Sequence, residues 1–312
     1  LLNESISLVR LGIVAYYRGD NHAARDRYEA ALTRARQLGN LQRQAASLIN
    51  LVAVYHGLGD LGNARSAGEE ALAIARTIGD RAKEAVTLNN LGAIYHALGQ
   101  YVIARQYHDQ ALILAQTLHD RQSESLSANN LALVLCDLYE FREASRYARM
   151  ALSLDRDIGD RVGQGYSLTT LARATHGLGS LPETRQLHEE AISLRRDIGQ
   201  DAAAIDNLAE LARLALEQHE IQSAHRYAAD ILAWIKINGL DGIEYPLRAY
   251  LVCVDVLGAN GEIELSRTLL RQTHTLLQEQ AQRITDPATR QTFLDNVPLH
   301  RQIQTRMQEK IG

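Results

Sequence analysis

Three asparagines stand immediately before a recurring leucine: Asn50 before Leu51, Asn90 before Leu91 and Asn130 before Leu131. Arg10 begins this row, Thr170 and Glu210 continue it, and Asn89 and Asn129 stand beside it. An amide offers a donor and an acceptor at once, so a row of amides can hold an extended peptide backbone whatever side chains the peptide carries. Asparagine is also a poor helix former, and a mid-helix row of it needs a reason. The other reason available is that these amides tie neighbouring helices together, and both can apply.

A second row, five residues after the same leucines, holds Tyr16, His56, His96, Cys136 and His176. Metal binding is the chemistry this row suggests. Equivalent residues of adjacent helical repeats lie about 10 Å apart, whereas a metal reaches each ligand at about 2 Å, so no single ion bridges them. The row reads instead as a half-buried groove wall, and neither a metal nor a cofactor is expected. His188-Glu189-Glu190 lacks the second histidine one turn on that a zinc H-E-x-x-H needs. No G-x-x-x-x-G-K-[ST] phosphate loop occurs. Cys136 lies in the apolar run from Leu131 and reads as a packed thiol. No catalytic residue emerges, and the chain is not expected to be an enzyme.

The elements that position these residues repeat. Leu11, Leu51, Leu91, Leu131, Leu171, Leu211 and Leu251 recur every 40 residues without slippage. Ala24, Ala64, Ala104, Ala144 and Ala224 keep the same register, with Thr184 the exception, and Ala31, Ala71, Ala111, Ala151 and Ala191 form a third ladder. Glycines make two more, at Gly39, Gly79, Gly159, Gly199 and Gly239 and at Gly19, Gly59, Gly99 and Gly179. Within one unit, Ala85, Leu88, Leu91, Ile94 and Tyr95 recur at three and four residues, the stripe of an amphipathic helix. Gly99 suits the left-handed position that ends it, and a second helix carries Ile103, Ala104, Tyr107, Ala111, Leu112 and Leu114 to about Leu118. The pairs Gly39-Asn40 and Gly79-Asp80 then join a terminating glycine to a capping acceptor for the next helix. Small alanines mark where the two helices must approach closely.

The spacing predicts an all-α array of about seven helical hairpins over residues 1–280, with repeats beginning near 1, 41, 81, 121, 161, 201 and 241. Residues 281–312 are expected to form a C-terminal helical cap. There Asp286-Pro287 reads as a helix start, and a last helix is expected after Val297-Pro298 to about Lys310. The register weakens after Ile231, where Trp234, Asn238, Gly239 and Pro246 depart from it and Glu264 stands where alanine is expected.

Composition closes off several functions. The net charge of −4 offers no surface for nucleic acid. No apolar run approaches the roughly 18–20 residues of a membrane span. Two distant cysteines, Cys136 and Cys253, make no disulfide framework, which favours a reducing cytoplasm. The chain opens on Leu1-Leu2-Asn3-Glu4 without a methionine or a polar cap, so it is expected to be a fragment with more protein upstream.

Leu88-Asn89-Asn90-Leu91-Gly92-Ala93-Ile94-Tyr95, followed by Gly99, Ala104, Tyr107 and Ala111, resembles the tetratricopeptide signature. Long repeats of this kind are similar to those of kinesin light chains, of LGN/Pins scaffolds and of the sensor arrays in bacterial STAND-type signalling ATPases. The tail from Ile284 to Pro298 also resembles the C-terminal tails of STAND-type regulators. The resemblance implies a right-handed α-solenoid whose first helices line a concave groove for a protein or peptide. The groove residues it implies are Arg10, Asn50, Asn89, Asn90, Asn129, Asn130, Tyr166, Thr170, Arg173, Glu210 and Arg213, with His56, His96 and His176. Asp206, Glu210, Arg173 and Arg213 would crowd its far end with charge around a neutral middle. A ligand-sensing module whose effector lies upstream is the implied function. A static scaffold or self-association module is the alternative, and an enzyme with an unfamiliar site a remote one.

Overall fold

A computed structural model of the chain describes residues 2–309, with side chains from Glu4 onward. Leu1 and Lys310, named above at the two ends, lie outside the described residues. The elements are α1 (Leu2–Tyr17), α2 (Asn21–Gln37), α3 (Leu41–Leu58), α4 (Leu61–Thr77), α5 (Arg81–Ala97), α6 (Tyr101–Thr117), α7 (Arg121–Asp137) and α8 (Phe141–Ile158). They continue as α9 (Arg161–Gly177), α10 (Leu181–Asp197), α11 (Asp201–Glu217), α12 (Ile221–Asn238), α13 (Pro246–Ala259), α14 (Ile263–Gln282), α15 (Pro287–Asn296) and α16 (Pro298–Glu309). No strand occurs among the described residues. The first fourteen helices form seven hairpins, and two shorter helices follow.

The predicted caps carry the hairpin register. Asp20, Asn40, Asp60, Asp80 and Asp160 each accept a hydrogen bond from the backbone N–H three residues on, satisfying one of the unpaired donors of a helix start. Asp286 does the same for α15, with Pro287 in its first turn. The turns need positive φ, and where glycine is missing from the ladder His119, Tyr139 and His219 adopt it at 54–63°. Such a residue spends backbone energy that glycine does not.

All ten ladder alanines are fully buried, as a close helix crossing requires. Thr184, the exception, satisfies its hydroxyl on Thr175 Oγ1 at 3.1 Å and on the Ser180 carbonyl at 2.9 Å. A second volume rule runs across the first three hairpins. Where the second helix offers a large ring, Tyr28 or His108, the first helix offers Gly12 or Gly92, and a Cβ there would meet the ring at 2.5 Å. Where the second helix offers Gly68, the first supplies Val52. The repeat leucines are buried from Leu51 to Leu251, as Leu91 is against Gly68 and Leu72 of α4. Leu11 is 52% exposed, because no second helix precedes α1 among the described residues.

The chain divides into two compact units, residues 1–134 with 280–297 and residues 135–279 with 298–312. In unit 1, α15 and its flanks pack on the hairpin turns: Arg65 donates to Thr289 Oγ1 at 3.3 Å, and Gly99 leaves no room for a Cβ beside the Asn296 backbone. In unit 2, α12 ends at Asn238 and the irregular segment 239–245 precedes α13. Asp206 accepts the backbone N–H groups of Glu244 and Tyr245 at 3.0 Å each, which anchors that segment to α11.

Candidate functional site

In unit 1 the amide row divides into two kinds. Asn89 is buried, and its Oδ1 accepts from Asn130 Nδ2 at 3.1 Å while lying 3.0 Å from His108 Nδ1. An amide oxygen only accepts, so His108 carries its proton on Nδ1. Burial, with His96 nearby, pushes the His108 pKa down to about 3 and keeps the ring neutral. This trio joins α5, α6 and α7. Asn129 is buried with its Oδ1 unpaired. Asn50 and Asn90 differ from all of these. They are half-buried at equivalent positions of α3 and α5, and among the described residues neither amide has a hydrogen-bond partner. Arg10 and His56 are exposed, and His96 is half-buried with its ring 5.4 Å from that of Tyr101.

In unit 2 the same phase of the repeat is charged. Arg173, His176, Glu210 and Arg213 line one cavity of about 340 Å³ with Cys136 and Arg248. Glu210 is buried and shared, bonding Arg213 Nε at 2.9 Å and Arg248 Nη1 at 3.4 Å. Burial alone would raise its pKa, but Arg213, Arg248, His188 and Arg173 together hold it well below the carboxylate range. Arg173 donates to Asp137 at 2.9 Å, and His176 Nε2 lies 2.6 Å from Glu217. Burial pushes the Cys136 thiol up to about 11, which leaves it protonated and unreactive near neutral pH. Each arginine of the cavity therefore already has an acidic partner. Thr170 is buried, and Tyr166 is 39% exposed with the Arg195 guanidinium 5.2 Å from its ring centroid. Asp206, expected in the charged cluster, is engaged with the 239–245 segment instead, where burial raises its pKa to about 6 against the pull of its backbone donors.

Sequence reasoning missed Arg248, Asp255 and the α16 residues at this cavity, because they lie where the register has weakened or ended. It also missed the two histidines buried within the hairpins, His108 and His188. His188 repeats the position of His108 and accepts at Nδ1 from Asn207 Nδ2 at 3.0 Å, so its proton sits on Nε2. Asn207 also donates to Thr169 Oγ1 at 3.0 Å. The 80-residue spacing of His108 and His188 was the available signal.

Antiparallel helix pairs on a fixed register, with small residues at the crossings and polar rows on the first helices, define an α-helical repeat protein. Residues 3–77 and 83–157 match the tetratricopeptide repeat family, and these stretches are tetratricopeptide repeats. No curated protein sequence matches the chain. Among solved structures, the apo form of RapI is 13% identical with a TM-score of 0.68, over 90% of this chain and 98% of that one. A Rap protein complexed with Competence and Sporulation Factor is 13% identical with a TM-score of 0.61, over 99% of this chain and 98% of its own. A STAND protein with a tetratricopeptide repeat sensor, from Pyrococcus horikoshii, is 14% identical with a TM-score of 0.63, over 88% of this chain and 42% of its own. At these identities the likeness is one of fold. No helix among the described residues is long and apolar enough to cross a membrane.

Proposed function

We propose that the chain binds a polypeptide on the first-helix face of its repeats and serves as the ligand-sensing module of a larger signalling protein. The observation that carries this reading is the pair of unpartnered, half-buried amides, Asn50 and Asn90, on successive first helices of unit 1. A half-buried amide with no internal partner contributes little to the fold, and its donor and acceptor suit a peptide backbone. Asn130, by contrast, spends a donor on Asn89 and serves the fold. On this reading the repeats over residues 1–280 are the binding array and residues 281–312 its cap. Two likenesses support the sensing role: the Pyrococcus protein is described as carrying a tetratricopeptide repeat sensor, and a Rap protein was solved with a bound factor. In the unit 2 cavity the thiol stays protonated and the arginines are already paired with carboxylates, which fits a binding surface.

The test is selection from a displayed peptide library, followed by calorimetry on the native chain and on Asn50→Ala/Asn90→Ala. Two lost hydrogen bonds, each contributing about 0.5–1.5 kcal/mol, should weaken the selected peptide about tenfold or somewhat more. Melting should not fall, since neither amide has an internal partner and alanine is the better helix former. Failure to select any peptide, or a double variant that binds as tightly as the native chain, would overturn the reading.

A further inference from the structure

The cavity of unit 2 has one wall that the repeats do not supply. Leu299 and Gln302 of α16 line it together with residues of α7, α8, α9, α11 and α13. Ile303, one turn beyond Leu299, is fully buried, and Arg306 pairs with Asp255 of α13. Leu299, Ile303 and Arg306 stand at i, i+4 and i+7, which is one face of one helix. The other face is polar and exposed, with Arg301, Thr305 and Gln308. At 12 residues α16 is too short to be a stable helix in water by itself, so its order depends on this docking. Val297, with an extended backbone at φ −77° and ψ 117°, ends α15 before α16 begins. The Arg306–Asp255 pair is about one-third exposed on both sides, the kind of ion pair that contributes little and exchanges readily.

We propose that α16 is an exchangeable, built-in occupant of the first-helix face of unit 2, and that the external partner of this face is an amphipathic helix. The partner carries apolar residues at i and i+4 and a basic residue at i+7, the pattern α16 itself presents. The proposal rests on the reading of the first-helix face as the partner surface, and it adds that in unit 2 the partner is a helix which must displace α16. Anchors repeating along one helical face, here two apolar and one basic, are how a helical segment is held in a groove between helices. Asp255 selects the base at i+7, and the ion-paired arginines around Glu210 leave no free charge to attract a different end group.

The experiment uses the full chain and a fluorescein-labelled synthetic peptide with the sequence of residues 298–309. The native chain, already occupied, should bind it at least tenfold more weakly than a full-length Ile303→Glu variant, whose own α16 can no longer bury its anchor. Adding Asp255→Arg to that variant should weaken the peptide at least threefold, and a peptide carrying Arg306→Glu should restore it. A variant that keeps native helicity yet binds no better than the native chain would overturn the proposal. A second measurement covers the case in which Ile303→Glu does not fold. In native-state hydrogen exchange the α16 amides should be protected at least tenfold less than those of α13, and equal protection would show a static cap and overturn the proposal. The Asn50→Ala/Asn90→Ala variant acts on unit 1 and should leave binding of this peptide to the Ile303→Glu chain unchanged. Failure of the exchange proposal is thereby distinguished from failure of the amide-face reading.

Discussion

Replacing Asn89 with alanine should destabilise unit 1 by about 2 kcal/mol, while the same change at Asn130 should cost almost nothing. Asn89 Oδ1 is the shared acceptor of two donors, His108 Nδ1 at 3.0 Å and Asn130 Nδ2 at 3.1 Å. Without it, the N–H of His108, whose ring is 1% exposed, is left buried and unpaired, at a cost of about 1–3 kcal/mol. Asn130 is half-buried, so its released amide can turn to water for a few tenths of a kcal/mol. Alanine returns roughly 0.5 kcal/mol of helix propensity at either position. Asn130→Ala loses one neutral hydrogen bond, about 0.5–1 kcal/mol, and leaves Asn89 still bonded to His108, so the two effects nearly cancel. Repeat arrays do not unfold as one unit, so the assay is urea titration read by hydrogen exchange at α5 and α6. A melting shift of about 4–8 °C for unit 1 corresponds to the same loss. Equal costs for the two variants would refute the view that Asn89 is the hub of the network.

Ala104→Leu should cost about 1–3 kcal/mol by overpacking a fully buried crossing. Arg105→Leu, one residue round α6 with a side chain 39% exposed, should leave the melting temperature within about 2 °C, as surface changes usually do. Equal losses in the two would place the hairpin interface wrongly. The buried histidines predict acid sensitivity. His108 and His188 are neutral in the fold, with pKa values pushed down to about 3 and about 4. The unfolded chain protonates both near 6.5, so their contribution is complete above pH 6.5 and is lost as pH falls toward 4, at up to about 1.4 kcal/mol per pH unit for each. Asp206, raised to about 6, acts with the opposite sign over pH 6 to 4 and partly offsets this in unit 2. His108→Gln should therefore flatten the stability of unit 1, followed by exchange at α5 and α6, between pH 6.5 and 4. A slope unchanged by that substitution would show that other groups carry it.

The hairpin register was legible in the residues themselves because it follows from local rules. Alanine ladders mark crossings where nothing larger fits, and Asp or Asn after a left-handed glycine caps the next helix within three residues. Asp286-Pro287 and Val297-Pro298 marked two further helix starts for the same reason. The polar rows were legible as rows, since a fixed period places equivalent residues on equivalent faces. Their roles were not. Asn50, Asn90 and Asn130 each precede a repeat leucine, yet Asn130 donates to Asn89 across a repeat while the other two have no partner. A hydrogen bond depends on which acceptor the neighbouring helix brings within about 3 Å, and for Asn90 the residue one repeat back that matches Asn89 is Ile49. Glu210 continues the same row and is neutralised by Arg213 and by Arg248, which stands in a helix whose start was displaced by the segment 239–245. The seating of α16 against Asp255 joins residues 51 apart in sequence, and no periodicity encodes that separation. Spacing along the chain determines which face a side chain shares. Only tertiary packing decides whether that face meets a partner within the fold or is left to meet one outside it.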